Sequence, residues 1–388
     1  MILYTLFTIL DWVIFCIVAL SVLYLFVFVI ASKFYRVRKY PQTDKKNRIL
    51  VLYPAYKEDR VILTSVENFL LQEYPRDKYE LVVISDHMED ETNQKIRDLS
   101  ATLLEVKFEQ SSKAKAMNFA LEQYPVNFFD IVTILDADNL VQPCYLDEIN
   151  RVYESGIRAI QAHRIAKNTQ TDVAVFDAVS EEVNHSIFRK GHCALGLSSA
   201  LVGSGMAFDF NWFKENVVHL CTAGEDKELE ALLLKQNIYI EYLEELYVKD
   251  EKTSQQKAFS SQRQRWLAAQ YTMLFSKLKD IPMCIKTGNI NYLDKILQWM
   301  LLPRVVMFGL TGVIAFLLLI VAWESSIKWL ILILVMILIF AISTPWPLFR
   351  VFLNKCWKTV PVLFVTMAMN FFKIKKGKTF IHTPHGQD

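Results

Sequence analysis

The chain has 388 residues, of which 53% are hydrophobic and only 22% are charged. A soluble domain is typically about 45–50% apolar and about 25% charged, and the apolar excess here lies at the two ends of the chain. Gly and Pro number only 11 each, which excludes disorder and collagen-like repeats. A net charge of +2 gives no sign of nucleic-acid binding, and six dispersed cysteines without a CxxC pair exclude a disulfide framework or a zinc site. The composition predicts a membrane protein with a cytosolic domain.

The N-terminal segment predicts a transmembrane helix. Residues Trp12 to Ser32 carry no charge, and about 20 apolar residues suffice to cross a hydrocarbon core. A signal peptide needs basic residues before a shorter apolar run, and no Lys or Arg precedes this one. Basic residues follow it instead. The positive-inside rule therefore places the N-terminus outside and the following residues in the cytosol.

The C-terminal segment predicts a second membrane module. The uncharged runs Val305–Trp323 and Trp329–Phe349 are long enough to span, and the short link Glu324–Lys328 predicts a helical hairpin. The apolar run Thr359–Phe372 is short for a span and favours an interfacial helix, followed by a Lys-rich tail. The predicted division is an N-terminal transmembrane helix (1–32), a basic juxtamembrane linker (33–47), a cytosolic domain (48–290) and a membrane module (291–388) with spans near 301–323 and 329–349, an interfacial helix near 359–372 and a basic tail.

Short β-rich runs alternate with amphipathic stretches in the cytosolic domain. This alternation predicts an α/β fold in which helices cover both faces of a mostly parallel sheet. Ligands of such sheets bind beyond the carboxyl ends of the strands. The predicted strands are Ile49–Tyr53, Leu81–Ser85, Leu104–Phe108 and Ile131–Leu135, and the predicted helices are Arg60–Leu71, Glu91–Ser100 and Lys113–Gln123.

Two aspartates follow the last of these strands. Asp136 and Asp138 are two residues apart, so their carboxylates can point the same way and face one hard cation. Mg²⁺ or Mn²⁺ held by one or two carboxylates typically completes its shell with substrate phosphates. A solvated turn is the alternative, because Asp-x-Asp triplets are common. The position directly after a buried strand favours the metal site.

Asp86 and Lys113 are two further candidates. Asp86 ends the predicted strand Leu81–Ser85, where its carboxylate can accept hydrogen bonds from a nucleobase or ribose. The alternative is a helix cap, a role for which Asp90 is better placed. Lys113 opens a predicted helix, where the helix dipole disfavours a cation. This placement indicates an anionic ligand nearby, with a surface lysine as the alternative.

A glycine pair and an acidic pair stand out in the second half of the domain. Gly203 and Gly205 flank Ser204 without the third glycine of a dinucleotide fingerprint, so they favour close approach of the backbone to a bulky substrate. Glu225 and Asp226 precede a stretch with helical spacing. A helix cap is the alternative to a catalytic role for these carboxylates.

A cluster of polar and aromatic residues follows near the end of the domain. Gln262, Arg265 and Trp266 lie within five residues of each other. A guanidinium fork suits a diphosphate, and an indole suits stacking on a sugar ring. Contact with lipid headgroups is the alternative.

In order and spacing, these motifs resemble those of the membrane-bound family 2 glycosyltransferases, which include cellulose, hyaluronan and poly-N-acetylglucosamine synthases. The resemblance extends over roughly residues 48–270, and the flanking membrane helices fit it too. Two positions depart from the family pattern: Lys57 stands where the family usually has Asn, and Ser112 where it has Gly. The motifs are Pro54-Ala55-Tyr56 with Glu58, Asp86, Lys113, Asp136-Ala137-Asp138, Gly203-Ser204-Gly205, Glu225-Asp226 and Gln262-x-x-Arg265-Trp266.

The resemblance implies a GT-A fold with a mostly parallel twisted sheet and transmembrane helices at both ends. It also implies a nucleotide-diphosphate sugar donor, with a UDP-sugar expected, and Mg²⁺ or Mn²⁺ as the cofactor. By family role, Asp136 and Asp138 hold the metal, with Asp138 the more direct ligand, and Asp226 is the general base. The expected substrate-binding residues are Pro54, Ala55, Tyr56, Glu58, Asp86 (uridine), Lys113 (diphosphate), Asp136, Gly203, Ser204, Gly205, Glu225, Gln262, Arg265 and Trp266.

The implied reaction is an inverting sugar transfer to a glycan acceptor, with processive synthesis of a β-linked surface polysaccharide as the first expectation. The alternative is transfer of a single sugar to a lipid-linked or glycan acceptor, because three spans are few for a polymer channel. Further expected partners are membrane lipids and a second copy or an export partner, without nucleic acid. The expected location is the plasma (inner) membrane, multi-pass, with a cytosolic catalytic domain.

Overall fold

The computed structural model describes residues 2–220, 222, 224–356, 359–372 and 386. A mixed sheet with flanking helices occupies the middle of the chain, and long apolar helices lie at its ends. The strands are β1 (Ile49–Tyr56), β2 (Tyr79–Asp86), β3 (Thr102–Val106), β4 (Ile131–Ile134), β5 (Leu140–Val141), β6 (Ala159–Ala166), β7 (Met206–Asp209) and β8 (Ile240–Asp250).

The helices pack on the sheet and on each other. A π-helical turn, Ser186–Gly191, joins α6 to α7, and 3₁₀ turns lie at Arg76–Lys78 and Leu278–Asp280. The helices are α1 (Ile2–Ser32), α2 (Ile62–Phe69), α3 (Asp90–Asp98), α4 (Lys113–Glu122), α5 (Tyr145–Glu154), α6 (Asp172–His185), α7 (His192–Ala194), α8 (Phe210–Val217), α9 (Glu225–Lys235), α10 (Gln256–Lys277), α11 (Ile281–Thr287), α12 (Ile290–Met300), α13 (Arg304–Val321), α14 (Trp323–Ser343), α15 (Trp346–Lys355) and α16 (Thr359–Phe372).

The sheet has the order β3-β2-β1-β4-β7-β6-β8-β5. β3, β2, β1 and β4 are parallel, and β6 is parallel to β8. β7 runs antiparallel to both β4 and β6, and β5 runs antiparallel to β8. This arrangement confirms the predicted α/β fold with a mostly parallel sheet.

Alternate residues of the central strands pack into separate cores on the two faces of the sheet. On one face, Leu50 and Leu52 of β1 belong to the core that contains Met117 of α4. On the other, Ile49 and Val51 belong to the core that contains residues of α2, α3 and α5. Helices on both faces explain why the strand reads as a continuous apolar run. Polar residues of the candidate site follow at the carboxyl ends of these strands, beyond the two cores.

Three helices are long and apolar enough to cross a membrane. They comprise Thr5–Ser32 within α1, α13 (Arg304–Val321) and α14 (Trp323–Ser343). The bounds of the hairpin differ from the prediction: Glu324–Lys328 is not a link but lies within α14, and the chain turns at Ala322. Glu324 falls in the first helical turn, where the helix dipole favours an acidic residue. The second helix ends at Ser343, before Pro345, so it does not extend to Phe349 as predicted.

The segment expected at the interface is helical. α16 spans Thr359–Phe372, and α15 precedes it. Its placement at a membrane surface stays a prediction. The predicted basic tail lies outside the described residues, apart from Gly386.

Candidate active site

Several of the residues singled out in the sequence, among them Tyr56, Asp86 and Asp136, lie at the carboxyl ends of β1, β2 and β4. The chain passes from β1 to β2 on one side, and β4 pairs with β1 on the other, so the strand order reverses between β1 and β4. A crevice at such a reversal is the usual ligand site of open α/β sheets. The fold therefore places the candidate site at this edge.

Asp86 lies at the β2 end of this crevice, opposite Tyr56 of β1. Its carboxylate Oδ1 lies 2.6 Å from His87 Nδ1 and accepts a hydrogen bond from the Phe108 backbone N–H at 3.4 Å. Its carbonyl accepts the Lys57 N–H at 3.1 Å, and both Lys57 (φ 55°) and His87 (φ 56°) have left-handed backbones. Non-glycine residues in this region cluster at functional sites. The two turns hold Asp86 and Tyr56 together at the rim.

The remaining residues of the first motif support the same rim. Pro54 and Ala55 continue β1 and pair in register with Ile84 and Ser85. Glu58 is buried, and its carbonyl accepts the N–H of Ile62 at the start of α2. These residues shape the strand end.

The two aspartates of the Asp-x-Asp motif have different surroundings. Asp138 is buried, and its carboxylate accepts the Glu251 N–H at 2.6 Å and the Asn139 side-chain amide at 3.3 Å. The Asp136 side chain is 33% exposed and forms an ion pair with Lys113. Asp138 is therefore held by the protein, whereas the Asp136 carboxylate is open to solvent on one side.

The loop with the two glycines closes over this motif. Gly203 accepts a hydrogen bond on its carbonyl from Lys113 Nζ at 2.7 Å, and Ser204 Oγ accepts the Asp136 N–H at 3.1 Å. Gly205 has a left-handed backbone (φ 63°), and a Cβ there would lie 2.9 Å from Val248. The glycines thus let this loop approach the aspartates.

A buried ionic network behind Asp136 was not anticipated from the sequence. Arg164 of β6 pairs with Glu181 at 2.6 Å and lies 3.7 Å from Asp250 and 3.9 Å from Asp136. Lys252 pairs with the same Glu181 and with Asp250 at 2.7 Å. Charged residues near the ends of β6 and β8 are the signal that marks this network in the sequence.

Electrostatic interactions link Lys113 to the acidic pair at the start of α9. Burial alone lowers the pKa of Lys113, but the carboxylates of Asp136 and Glu225 outweigh burial, and the net shift is upward. Burial raises the pKa of Glu225 to about 7, with further repulsion from Asp226 and Asp136, while Lys113 opposes the shift. Glu225 therefore changes its charge near neutral pH beside the Asp-x-Asp motif.

Asp226 borders a cavity of about 610 Å³ on the side facing the apolar helices. Arg164 and Trp266 line the cavity, and so do residues of α1, α13 and α14. The Asp226 carboxylate accepts the Lys227 N–H at 2.9 Å. The first two residues of α9 thus have different neighbours. Glu225 interacts electrostatically with Lys113 and Asp136, and Asp226 lines the cavity.

The last motif lies on α10, which crosses the start of α9. A Cβ at Gly224 would lie 2.6 Å from the Ala269 Cβ, so the two helices meet at van der Waals distance. Trp266 lies under the guanidinium of Arg263, which is 4.7 Å from its ring centroid. Arg265 and Gln262 are partly buried on the same helix. The structure brings Trp266 to the cavity with Asp226.

The residues present fit a hard cation whose shell a substrate completes. Asp138 and Asp250 each place an Oδ1 atom 3.3 Å from the same Asn139 amide nitrogen, so their carboxylates lie close together. Asp136 offers a partly exposed carboxylate nearby. Within the described ranges, no group of three or more His, Cys, Asp or Glu side chains forms a ready metal site. Mg²⁺ or Mn²⁺ bound by few carboxylates and by substrate phosphates suits this donor set.

More than half of the chain matches a known protein family. Residues 47–269 match the model of the glycosyltransferase-like family 2. No curated protein sequence matches the chain.

Three solved structures of low sequence identity are similar to the chain. Mannosyltransferase PcManGT from Pyrobaculum calidifontis, in complex with GDP-Man and Mn²⁺, is 15% identical with a TM-score of 0.56, covering 94% of this chain and 99% of that chain. S. aureus TarS 1–349 is 15% identical with a TM-score of 0.42, covering 84% and 90%. Glucosyl-3-phosphoglycerate synthase from Mycobacterium tuberculosis, with Mn²⁺ and UDP, is 19% identical with a TM-score of 0.39, covering 56% and 77%. Since the family model matches more than half of the sequence, the chain belongs to glycosyltransferase family 2 and is a glycosyltransferase with a GT-A-like fold.

Proposed function

We propose that this glycosyltransferase moves one sugar from a nucleotide-diphosphate donor, with a UDP-sugar expected, to an acceptor that enters from the membrane side. The observation that carries the proposal is the position of Asp226, which borders a cavity lined in part by the apolar helices, while the adjacent Glu225 interacts electrostatically with Lys113 and Asp136. Donor and acceptor then approach the start of α9 from opposite sides. Such an approach suits an in-line displacement.

The donor lies in the crevice at the ends of β1, β2 and β4. Asp86 and Tyr56 meet the nucleoside at the rim, and Lys113 lies where it can neutralise the diphosphate. Asp136 and Asp138 would hold Mg²⁺ or Mn²⁺, which when bound stabilises negative charge on the leaving diphosphate. Arg265 adds a guanidinium donor to the same leaving group.

The chemical step is a single displacement with inversion. Asp226 takes the proton of an acceptor hydroxyl, and the oxygen forms a bond to the anomeric carbon. The bond from that carbon to the diphosphate breaks, and the nucleoside diphosphate leaves with the electron pair. Lys113 stabilises the charge that develops on it, because the ammonium is buried and already fixed by Asp136 and Gly203.

The lining of the cavity favours an acceptor linked to a lipid. Its wall toward the membrane consists of apolar side chains of α1, α13 and α14, such as Leu25, Val306 and Met336. A polymer channel needs polar groups that hydrogen-bond sugar hydroxyls along its length. Processive polysaccharide synthesis remains the second candidate, favoured by Trp266, whose ring in the same cavity suits stacking on a sugar.

We further propose that the three apolar helices place the protein in the plasma (inner) membrane with the sheet domain in the cytosol. The support is the Lys and Arg excess directly after α1. Membrane lipids are then partners by position, and a second copy or an export partner is a further proposal.

Purified full-length protein incubated with a panel of nucleotide sugars tests the function. We expect release of the nucleoside diphosphate with one donor in the presence of Mn²⁺ or Mg²⁺, and its loss with chelator. The length of the product separates the two acceptors: one added sugar supports the lipid-linked acceptor, and a ladder supports processive synthesis. Failure of every donor to be consumed, with a lipid extract supplied as acceptor, contradicts the proposal.

A further inference from the structure

The cavity beside Asp226 holds more positive than negative charge. Six Lys or Arg residues and four Asp or Glu residues line it. Each of the four acids has a cationic partner within 4.0 Å, and the pairs are Asp177–Arg263, Glu181–Arg164, Glu230–Lys295 and Asp226–Lys227. Arg189 and Arg304 line the same cavity, and among the described residues neither has a carboxylate partner within this distance.

Arg189 is a buried guanidinium without an ion-pair partner among the described residues. Its side chain lies in the π-helical turn after α6, and the residue is 4% exposed. Its Nε and Nη1 atoms have no hydrogen-bond partner within the described part of the chain, and burial lowers its pKa. An arginine stays charged in proteins, so the free energy cost of this burial persists until an anion arrives.

Arg304 also lines the cavity. It is the first residue of α13, and its Nη2 atom donates to Asn184 Oδ1 at 2.8 Å. Its Nη1 atom has no hydrogen-bond partner among the residues that the structure describes. Asn184 and both arginines line the cavity. The lining of the cavity therefore includes two guanidinium groups, each with at least one nitrogen that has no hydrogen-bond partner among the described residues.

Apolar side chains also line much of the cavity. Leu25 of α1, Met336 and Phe340 of α14, and Phe352 of α15 line it. The side chains of Asp136, Asp138 and Lys113, which face the donor, are not part of this lining. The cavity thus combines two guanidinium groups with apolar side chains of α1, α14 and α15, and its lining does not include the three donor-facing side chains.

We propose that the cavity is the acceptor site and that it binds a lipid-linked sugar through the phosphate of that lipid, with Arg189 and Arg304 as the phosphate ligands. Guanidinium forks match the geometry of phosphate oxygens. The lipid chain lies along α13 and α14, and the sugar extends toward Trp266 and Asp226. This inference rests on the proposed function and specifies its acceptor by chemical class.

Binding of dodecyl phosphate to the full-length protein in non-ionic detergent tests this site without turnover. Arg189→Gln and Arg304→Gln are each expected to weaken binding at least tenfold, because each removes a charge-assisted hydrogen bond. Arg350→Gln, at an exposed arginine of α15, is the matched control and should leave binding unchanged. Uncharged dodecanol should bind with no sensitivity to either arginine. Inorganic phosphate should bind far more weakly than dodecyl phosphate.

A second variant covers the case in which an arginine variant fails to fold. Ile337 of α14 lines the cavity and is 51% exposed, so Ile337→Trp can be accommodated while it narrows the cavity. It should weaken the binding of both dodecyl phosphate and dodecanol. Binding of UDP is measured in parallel and should be unchanged in all of these variants.

The outcomes separate this inference from the proposed function. If dodecyl phosphate binding does not depend on Arg189 and Arg304, or inorganic phosphate binds equally tightly, the lipid site is wrong even if the enzyme consumes a nucleotide sugar. If the arginine-dependent binding is observed but no nucleotide sugar is consumed, the site stands and the proposed function fails. Loss of UDP binding in the arginine variants would assign them to the donor and overturn the inference.

Discussion

At the scale of single residues, the two adjacent carboxylates at the start of α9 have different surroundings and different expected roles. Glu225 interacts with Lys113 and Asp136, and its pKa is raised to about 7 by burial. Asp226 borders the cavity. A base has to reach the proton that it removes, so position favours Asp226 for this role. The raised pKa makes Glu225 a charge that changes near neutral pH.

Asp226→Asn should keep donor binding and reduce transfer by about 10²–10⁴-fold, because the amide cannot accept the hydroxyl proton. Single-turnover assays with a bound nucleotide sugar measure the loss. Asp77→Asn, at an exposed position on the 3₁₀ turn, is the control and should transfer normally. Normal turnover by the Asp226 variant would remove this residue from the role of base.

Glu225→Gln should change how stability depends on pH. Folding raises the pKa of Glu225 from 4.5 to about 7. Between these two pH values the folded protein keeps a proton on Glu225 that the unfolded chain has released. The contribution of this protonation to the free energy of unfolding is fully present below about pH 4.5 and is lost as the pH rises through about 7. The unfolding midpoint of the wild type should therefore fall more between pH 5 and 8 than that of the variant. Equal slopes would contradict the shifted pKa.

At the scale of elements, the contact between α9 and α10 positions Trp266 relative to Asp226. Gly224 caps the start of α9, and a Cβ there would lie 2.6 Å from the Ala269 Cβ of α10. Neither atom can rotate away, because each is fixed to the backbone. A glycine at this position is therefore required by packing between helices, in addition to its place beside the acidic pair.

Gly224→Ala should push α10 away from α9, destabilise the protein by about 1–3 kcal/mol through overpacking, and impair transfer. Thermal unfolding and turnover are measured together. Adding Ala269→Gly should restore space and recover turnover, although glycine in the helix itself costs about 1 kcal/mol. If the double variant is as impaired as Gly224→Ala alone, the steric explanation is wrong.

At the scale of the whole molecule, polar contacts connect the N-terminal helix α1 with helices of the C-terminal part of the chain. Asp11 of α1 forms an ion pair with Lys328 of α14 and accepts the Trp329 indole N–H at 2.9 Å. The Lys328 ammonium also lies 3.9 Å from the Trp12 ring centroid. Nearer the sheet domain, Tyr24 of α1 donates to Asp294 of α12 at 2.6 Å. These contacts fix α1 against the C-terminal helices that line the cavity.

Asp11→Ala should destabilise the protein by about 1–3 kcal/mol, because it removes the carboxylate partner of the half-buried Lys328 ammonium and the acceptor of the Trp329 indole N–H. Glu324→Gln, at an exposed acidic residue of the same helix, is the control and should cost less than about 0.5 kcal/mol. Thermal unfolding in detergent compares them. If Asp11→Ala and Glu324→Gln unfold alike, the ion pair does not stabilise the helix assembly.

The sequence by itself determined the features that depend on local order. Apolar runs that alternate with amphipathic stretches predicted β1, β2, β3 and β4 and the helices between them, because strand and helix periodicity is read within a few residues. The position of Asp136 after a strand and that of Lys113 at the start of a helix were likewise predicted from the amino-acid sequence. The family resemblance added the donor chemistry and the assignment of roles.

Only the tertiary structure decided which charges have partners. Arg164 and Lys252 meet Glu181 and Asp250 from separate elements, and Arg189 and Arg304 share one cavity although 115 residues separate them in sequence. The hairpin bounds also differed from the prediction, because charged residues of the expected link fit the first turns of α14. Pairing and burial of charge depend on contacts between distant segments, and no local periodicity encodes them.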